Sequence, residues 1–296
     1  MTCLRVECPP KVNLYLRIVR RRDDGFHELE TVLQSVGGGD TLTISTADGL
    51  TLRCDSPEVP TDERNLVLRA ARALLKHYPE ASERGAMFDL VKRVPIGSGM
   101  GGGSADAAGA LVAVCRLWGL SPPKDELAAI AATLGSDVPF FLMGGTALAG
   151  GRGEELSAMP TAPLWLVLVR PPVSVSTPWA YGEWRADACG GPPVAEFREA
   201  LAIGDPATVA GLLRNDLEPG VAAGVPEIAA ARAWLLAAGA LGARMTGSGS
   251  VVFGVARDEE HAREMAAAEG CPGRAWAAQC LTAGEARLVP SPCDPK

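Results

Sequence analysis

The chain has 296 residues, 47% hydrophobic and 21% charged, enough for one large or two ordinary domains with full cores and too apolar for a disordered segment. A formal charge of −7, with Arg20, Arg21 and Arg22 as the only basic run, offers no stripe for displacing counterions and excludes nucleic acid as a partner. Eight cysteines without a C-x-x-C pair read as free thiols, three histidines without ligand spacing exclude a protein-held zinc, and the lack of a signal core or long apolar run reads as cytoplasmic with no membrane partner.

In chain order, residues 4–8 form a short strand. After Pro9 and Pro10, Val12, Leu14, Leu16 and Ile18 alternate with Asn13, Tyr15 and Arg17, the period-two pattern of a half-buried strand. Lys11 and Asn13 stand at its entrance. Lys11, fixed by the two prolines, is either a solvated lysine beside a turn or a positioned cation. Residues 22–27 form a turn in which Phe26 adjoins His27. This is either an ordinary hairpin or a ring and an imidazole set to stack on a planar base and bond to its edge. Residues 31–36, 40–46 and 50–54 are further strands, joined by Gly37-Gly38-Gly39 and by Asp48-Gly49, and their succession implies a meander. Asn65 opens an amphipathic helix over residues 65–77 and is either its polar cap or a base contact.

The chain is organised around residues 92–118. Residues 87–94 have the content of a strand, which Pro95 closes by removing a ladder donor. Gly97, Gly99, Gly101, Gly102 and Gly103 follow, with no Cβ to keep a ligand from their N–H groups. Ser104 is read as the N-cap of a helix that carries Ala108, Leu111, Cys115 and Trp118 on one face, its positive end aimed into the loop. That is a phosphate site. It is not a Walker A loop, since no Gly-Lys-Ser/Thr follows. Gly97, Gly99 and Gly102 satisfy G-x-G-x-x-G, but the next element is another helix, residues 124–134, where a dinucleotide fold needs a strand ending in an acidic residue.

Asp137 follows Gly135 and precedes Pro139 and the Phe140-Phe141 pair. It is either a helix cap or a partly desolvated carboxylate. Glycines at 144, 145, 150, 151 and 153 mark loops around a strand at 146–149, and the character of the chain changes near 153–163. The division is therefore 1–153, 154–290 and a frayed tail, 291–296. In the second part, residues 164–169 read as a buried strand. Thr177 and Tyr181 belong to a second polar and aromatic cluster. Helices at 195–203, 206–213 and 226–238 precede strand 243–246, the turn 247–250, strand 251–256, helix 258–269 and strand 275–281, an α+β order.

Several of these motifs, in this order, resemble the GHMP kinases. The general signal is the run from Pro95 through Gly103 to Ala108 with the loop 247–250; Pro10-Lys11-Val12-Asn13-Leu14, Asp24-Gly25-Phe26-His27, Asn65-Leu66, the run 134–139 and Asn215-Asp216-Leu217-Glu218 point to the branch whose acceptor is a small molecule carrying a cytidine diphosphate group, in the non-mevalonate route to isoprenoid precursors. The resemblance implies a two-domain α+β fold with the active site in the cleft between domains, ATP and Mg²⁺ as cofactors, and no obligate protein partner. It implies that Pro95, Gly97, Gly99, Gly101, Gly102, Gly103 and Ser104 hold the ATP phosphates, with Ser104 on the metal and Asn65 and Lys92 near the adenosine. Asp137 takes the proton of the acceptor hydroxyl and Lys11 stabilises the developing charge. Phe26 and Tyr181 sandwich the cytosine, His27 reads its edge with Asn13 nearby, and Thr177, Gly247 and Ser248 close the site. Two positions depart from the family pattern: Ala105 stands where many members carry a second serine, and Phe26 where tyrosine is frequent. A kinase for another alcohol and a non-catalytic nucleotide-binding protein are the competing readings.

Overall fold

A computed structural model describes residues 2–81, 83–186 and 191–293. Three sheets carry the fold. The first contains β1 (Cys3–Cys8), β4 (Asp40–Ala47), β5 (Leu50–Cys54), β6 (Gly85–Val91) and β14 (Ser291–Pro292), in the order β14-β1-β4-β6-β5. The second contains β2 (Lys11–Arg21), β3 (His27–Ser35), β7 (Thr146–Gly150), β8 (Glu155–Ala158) and β10 (Arg214–Asn215), in the order β10-β2-β3-β7-β8. The third is antiparallel throughout: β11 (Gly242–Met245), β12 (Val252–Val255), β9 (Trp165–Arg170) and β13 (Arg274–Gln279) in that order.

Helix α2 (Gly102–Trp118) is the hub of the first core. Its Ala105, Ala107, Ala108, Ala110, Leu111, Ala113 and Val114 are all fully buried, so it is apolar around almost its whole circumference rather than along one stripe. The small residues let it lie close to the sheet: a Cβ at Gly109 would stand 2.5 Å from Cys8 Sγ. Around it pack α1 (Leu66–His77), α3 (Lys124–Leu134) and α4 (Val138–Met143). Burial of each large apolar side chain here, Leu111 or Phe140 for example, stabilises by about 1.5–3 kcal/mol. A second core joins the second and third sheets through Val12, Leu14, Leu166, Leu168 and Phe253 with Phe197 of α6 (Val194–Ile203). The third core lies under α9 (Pro226–Ala237) and α10 (Glu259–Ala266), with Leu16 and Ile18 of β2 reaching into it. Strand β2 thus contributes to both, and bulges at 13/15 and 18/20 shift its register. The remaining helices are α5 (Thr177–Gly182), α7 (Pro206–Gly211) and α8 (Glu218–Gly224). Among the described residues no single helix is long and apolar enough to cross a membrane; α8 and α9 pass that test only as a pair bent by 113°.

The structure corrects several expectations. The early strands are not a meander: β2 and β3 lie in the second sheet, while β6 inserts between β4 and β5. Gly85 permits this, because a Cβ there would stand 2.3 Å from the Ala47 carbonyl oxygen and 2.5 Å from the Gly49 nitrogen. Strand β6 stops at Val91 rather than 94, since Asp40 Oδ1 captures the N–H groups of Arg93 and Val94. Ser104 is not the N-cap of α2; Gly101, left-handed at φ 71°, takes that position and the helix begins two residues before Ser104. The thiols are not all free, since Cys3 and Cys293 form a disulfide, and the tail is not frayed at its start, where β14 pairs with β1. Cys189 and tail residues 294–296 lie outside the described residues.

Candidate active site

A cleft of about 1140 Å³ opens between the two halves of the chain and gathers most of the candidate residues. At its centre is Lys11, at the start of β2. Its side chain is 6% exposed, and its Nζ donates 2.7 Å bonds to Asn13 Oδ1 and to the carbonyl of Gly99. Asp137 faces it, with Oδ2 3.8 Å from Nζ. Asp137 occupies the N-cap position of α4, yet its carboxylate makes no capping bond, so its oxygens are available to the cleft. Burial lowers the Lys11 pKa, and the neighbouring Asp137 carboxylate opposes that shift.

Asn13 is held on every side. Its Nδ2 donates to Thr31 Oγ1 at 2.8 Å, and its backbone N–H donates to Thr246 Oγ1 at 2.9 Å. The 247–250 loop reaches this cluster because Asn215, on β10, donates from Nδ2 to the carbonyls of Met245 (2.6 Å) and Gly247 (2.8 Å). A Cβ at Gly247 would stand 3.2 Å from Asn13 Oδ1. Opposite, the hydroxyls of Thr177 and Ser248 bond to each other at 2.9 Å, tying the start of α5 to this loop.

The aromatic side of the cleft brings Phe26, His27, Tyr181 and Trp184 together. His27 stacks on Tyr181, ring centroids 5.0 Å apart and tilted 29°, and meets Trp184 edge-on at 5.5 Å. Phe26 is 56% exposed at the rim, with the Arg152 guanidinium 4.9 Å above its ring. Burial, with a contribution from Arg21, lowers the His27 pKa and favours the neutral imidazole, which has one donor and one acceptor for a base edge. Tyr181 is pushed up to about 12, by burial and then by Asp137, which keeps its phenol protonated.

The glycine loop forms the other wall. Gly99 and Gly101 line the cleft, whereas Pro95, Gly97, Gly102, Gly103 and Ser104 stand outside its lining, as do Asn65 and Lys92. Gly99 is required by contact as well as by φ (+75°), since a Cβ would stand 2.4 Å from the Thr246 carbonyl oxygen. The first-turn N–H groups of α2 have no intrahelical partner and are open to an anion. Asn65 is the N-cap of α1: its Oδ1 accepts from Val67 N–H at 2.9 Å and its Nδ2 donates to Pro60 O at 2.7 Å. The Lys92 side chain is 9% exposed, clamped between Asp40 and Asp106, with Asp106 Oδ2 at 2.8 Å. Burial opposes the charge on Lys92, but Asp106 and Asp40 outweigh it and raise the pKa. Asp106 is pushed up to about 7 by burial, against the pull of Lys92, and its Oδ1 has no partner.

Sequence reasoning missed Asp40, Asp106, Thr31, Thr246 and the rim residues Arg152 and Trp184. Asp106 carries a readable signal, an acidic residue on an otherwise apolar helix. Asp40 carries none, because its partners come from residues 92–94 and 106, brought to it only by folding.

The fold and this cleft define a class. A sequence profile described as "GHMP kinases N terminal domain" matches residues 65–145, and one described as "GHMP kinases C terminal" matches residues 197–269. Homoserine kinase from Cytophaga hutchinsonii superposes with a TM-score of 0.76 at 20% identity, over 99% of this chain and 98% of that one, a likeness of fold. The chain belongs to the GHMP kinases, a family of small-molecule kinases for which ATP is a substrate. More narrowly, it is 43% identical over 281 residues to the 4-diphosphocytidyl-2-C-methyl-D-erythritol kinase of Gloeobacter violaceus, covering 92% of each chain. It is 44% identical over 263 residues to the enzyme of that name from Pelotomaculum thermopropionicum, covering 87% of this chain and 90% of that one. A crystal structure of 4-(cytidine 5'-diphospho)-2C-methyl-D-erythritol kinase superposes with a TM-score of 0.81 at 37% identity, over 93% of this chain and 98% of that one.

Proposed function

We propose that the protein transfers the γ-phosphoryl group of ATP to the 2-hydroxyl of 4-diphosphocytidyl-2-C-methyl-D-erythritol, in the non-mevalonate route to isoprenoid precursors. One observation carries this reading: a single cleft holds the Lys11 and Asp137 pair between a glycine loop and a stacked His27–Tyr181 platform. The loop and the α2 N-terminus suit the ATP phosphates, and the platform suits a pyrimidine. Asp137 accepts the hydroxyl proton as the oxygen attacks the γ-phosphorus; the new O–P bond forms while the bond to the ADP oxygen breaks. Lys11, beside Asp137, stabilises the charge on the carboxylate, the attacking oxygen and the phosphoryl group, since an ammonium in a dry site offsets developing negative charge.

On the acceptor side, Phe26 at the rim and Tyr181 inside are the faces for cytosine. His27 offers its edge, Asn13 adds a nearby polar group, and Thr177 with Gly247 and Ser248 closes the site. On the ATP side, Pro95 and the glycines up to Gly103 shape the cradle. Asn65 and Lys92 act there through backbone and shape, because their side chains are already engaged. Ser104 fits a Mg²⁺ ion carried in by ATP: its hydroxyl has no partner among the described residues and stands in the first turn of α2. No group of three metal-ligating side chains exists among the described residues, so phosphate oxygens and water would supply the other ligands. Such an ion neutralises charge on the transferring group. We place the reaction in the cytoplasm, on the balance of five free cysteines against the one Cys3–Cys293 disulfide among the described residues.

A kinase for a different alcohol would have no use for the aromatic platform. The test is ADP release with Mg-ATP and four acceptors: the cytidylated alcohol, methylerythritol phosphate without cytidine, mevalonate and homoserine. Turnover confined to the first supports the proposal. Equal turnover with methylerythritol phosphate would remove the base pocket from the argument, and folded, ATP-binding protein inactive with all four would overturn the kinase reading.

A further inference from the structure

Arg170, the last residue of β9, and Arg274, the first of β13, are directly paired in the antiparallel register. Side chains so paired leave one face with Cβ atoms about 4.5–5.5 Å apart, and like charges in that position repel. The register is enforced at this end: a Cβ at Gly273 would stand 2.1 Å from the Arg170 carbonyl oxygen. Neither guanidinium has a carboxylate partner among the described residues, although the chain carries 35 acidic side chains against 28 basic ones. Arg274 is instead 5.7 Å from the centroid of the Trp276 ring. The two arginines border a groove of about 540 Å³ whose other walls are Pro171, Pro172, Val173, Ser174 and Gly273, none of them part of the catalytic cleft.

We propose that this groove is a second anion site, which takes a phosphate or diphosphate ester with a small apolar body. Two guanidinium groups carried by paired residues of adjacent strands, both lining the groove, suit the oxygens of one phosphate, and an anion there would remove the repulsion between them. The Ser174 hydroxyl adds a further polar group. Pro171, Pro172 and Val173 are an apolar wall that inorganic phosphate would leave unused, and the volume exceeds what a bare phosphate fills. Residues 171–176 run from the groove into α5, whose Thr177 and Tyr181 line the acceptor side of the cleft.

Calorimetric titration tests this, on the full chain saturated with a non-hydrolysable ATP analogue so that the glycine loop is filled. The probes are phenyl phosphate and inorganic phosphate, and the proteins are wild type, Arg170→Gln and Arg274→Gln. Phenyl phosphate is expected to bind wild type one-to-one and more tightly than inorganic phosphate, and each substitution to weaken it by about tenfold or more through lost charge-assisted bonds. ADP release without added phenyl phosphate is expected to be unchanged in both variants. No binding to wild type at millimolar probe, or equal affinity in wild type and both variants, overturns the site. Inorganic phosphate binding as tightly as phenyl phosphate overturns the assignment to an ester.

Discussion

Lys11 Nζ stands 3.8 Å from Asp137 Oδ2, while its two 2.7 Å bonds go to neutral acceptors, Asn13 Oδ1 and the Gly99 carbonyl. The ammonium is therefore positioned without consuming the carboxylate, which keeps its lone pairs for a substrate proton. Asp137→Asn is expected to lower kcat by about 10²- to 10⁴-fold. The melting temperature and ATP affinity should stay close to wild type, because the carboxylate is 35% exposed and caps nothing. Single-turnover ADP formation measures the chemical step; a loss under tenfold would make Asp137 an orienting group rather than a base.

Lys11 also sets a pH dependence. Burial lowers its pKa below the ordinary 10.5 and Asp137 only partly restores it, so the folded protein releases this proton before the unfolded chain does. Between those two values the unfolded chain binds more protons. Stability from this group therefore rises with pH across that window, by at most about 1.4 kcal/mol per unit, while turnover falls as the ammonium is lost. In Asp137→Asn the opposing carboxylate is gone and the titration moves lower still. A ¹³C-lysine NMR titration reads both, and a wild-type Lys11 titrating at or above 10.5 would contradict the assignment.

The parts of the site legible in the sequence are those whose chemistry is local. The glycines of 97–103, the Asp137 turn and the Phe26-His27 pair announce themselves within a few residues of chain. Pairings between distant segments do not: nothing near Lys92 says that Asp40 and Asp106 will enclose it, and nothing near Asp48-Gly49 says that β6 will separate the two strands it joins. Asn65 was readable as a cap or a base contact, and the capping half is seen in the Val67 N–H and Pro60 carbonyl that use both ends of its amide. Helices α5 and α8 escaped the reading because each is a turn or two long, too short for a 3.6-residue period to register.

The Asp40, Lys92 and Asp106 cluster ties β4, the approach to the glycine loop and α2 together. Lys92→Met leaves two buried carboxylates without a counter-ion and is expected to cost about 3–5 kcal/mol. Asp106→Asn in the same chain relieves part of that, so the two changes should be markedly non-additive. Urea denaturation of both single variants and the double variant gives the coupling. Additive losses would mean that Lys92 and Asp106 do not depend on each other.

The Cys3–Cys293 disulfide closes a loop over 290 residues and holds β14 on β1, where Cys293 N–H also donates to Cys3 O at 3.1 Å. Cys293→Ser is expected to lower stability by about 2–4 kcal/mol, chiefly by freeing the unfolded chain. Neither cysteine lines the cleft, so ADP release at temperatures where the variant is folded should not change. Identical urea midpoints for wild type with and without reductant would show that the bridge contributes nothing.

Gly99→Ala tests whether the glycine loop and the 247–250 loop form one surface. The residue is left-handed, and a Cβ there would stand 2.4 Å from the Thr246 carbonyl and 3.1 Å from that of Gly249. Both obstacles are backbone, so neither can swing aside, and the two loops must part. Parting them displaces the Gly99 carbonyl that Lys11 Nζ binds and the Thr246 hydroxyl that receives the Asn13 N–H. The expected outcome is a fall in kcat of about 10²-fold, from misplacement by around an ångström, together with about 1–3 kcal/mol of lost stability from strain. Gly119→Ala, at the far end of α2, is the control: Gly119 is also left-handed, but its Cβ would meet nothing within 4 Å and it lies outside the cleft, so it should show the strain without the displacement. Steady-state kinetics on the two variants separate these effects, and equal kcat values would mean that contact between the loops does not position Lys11.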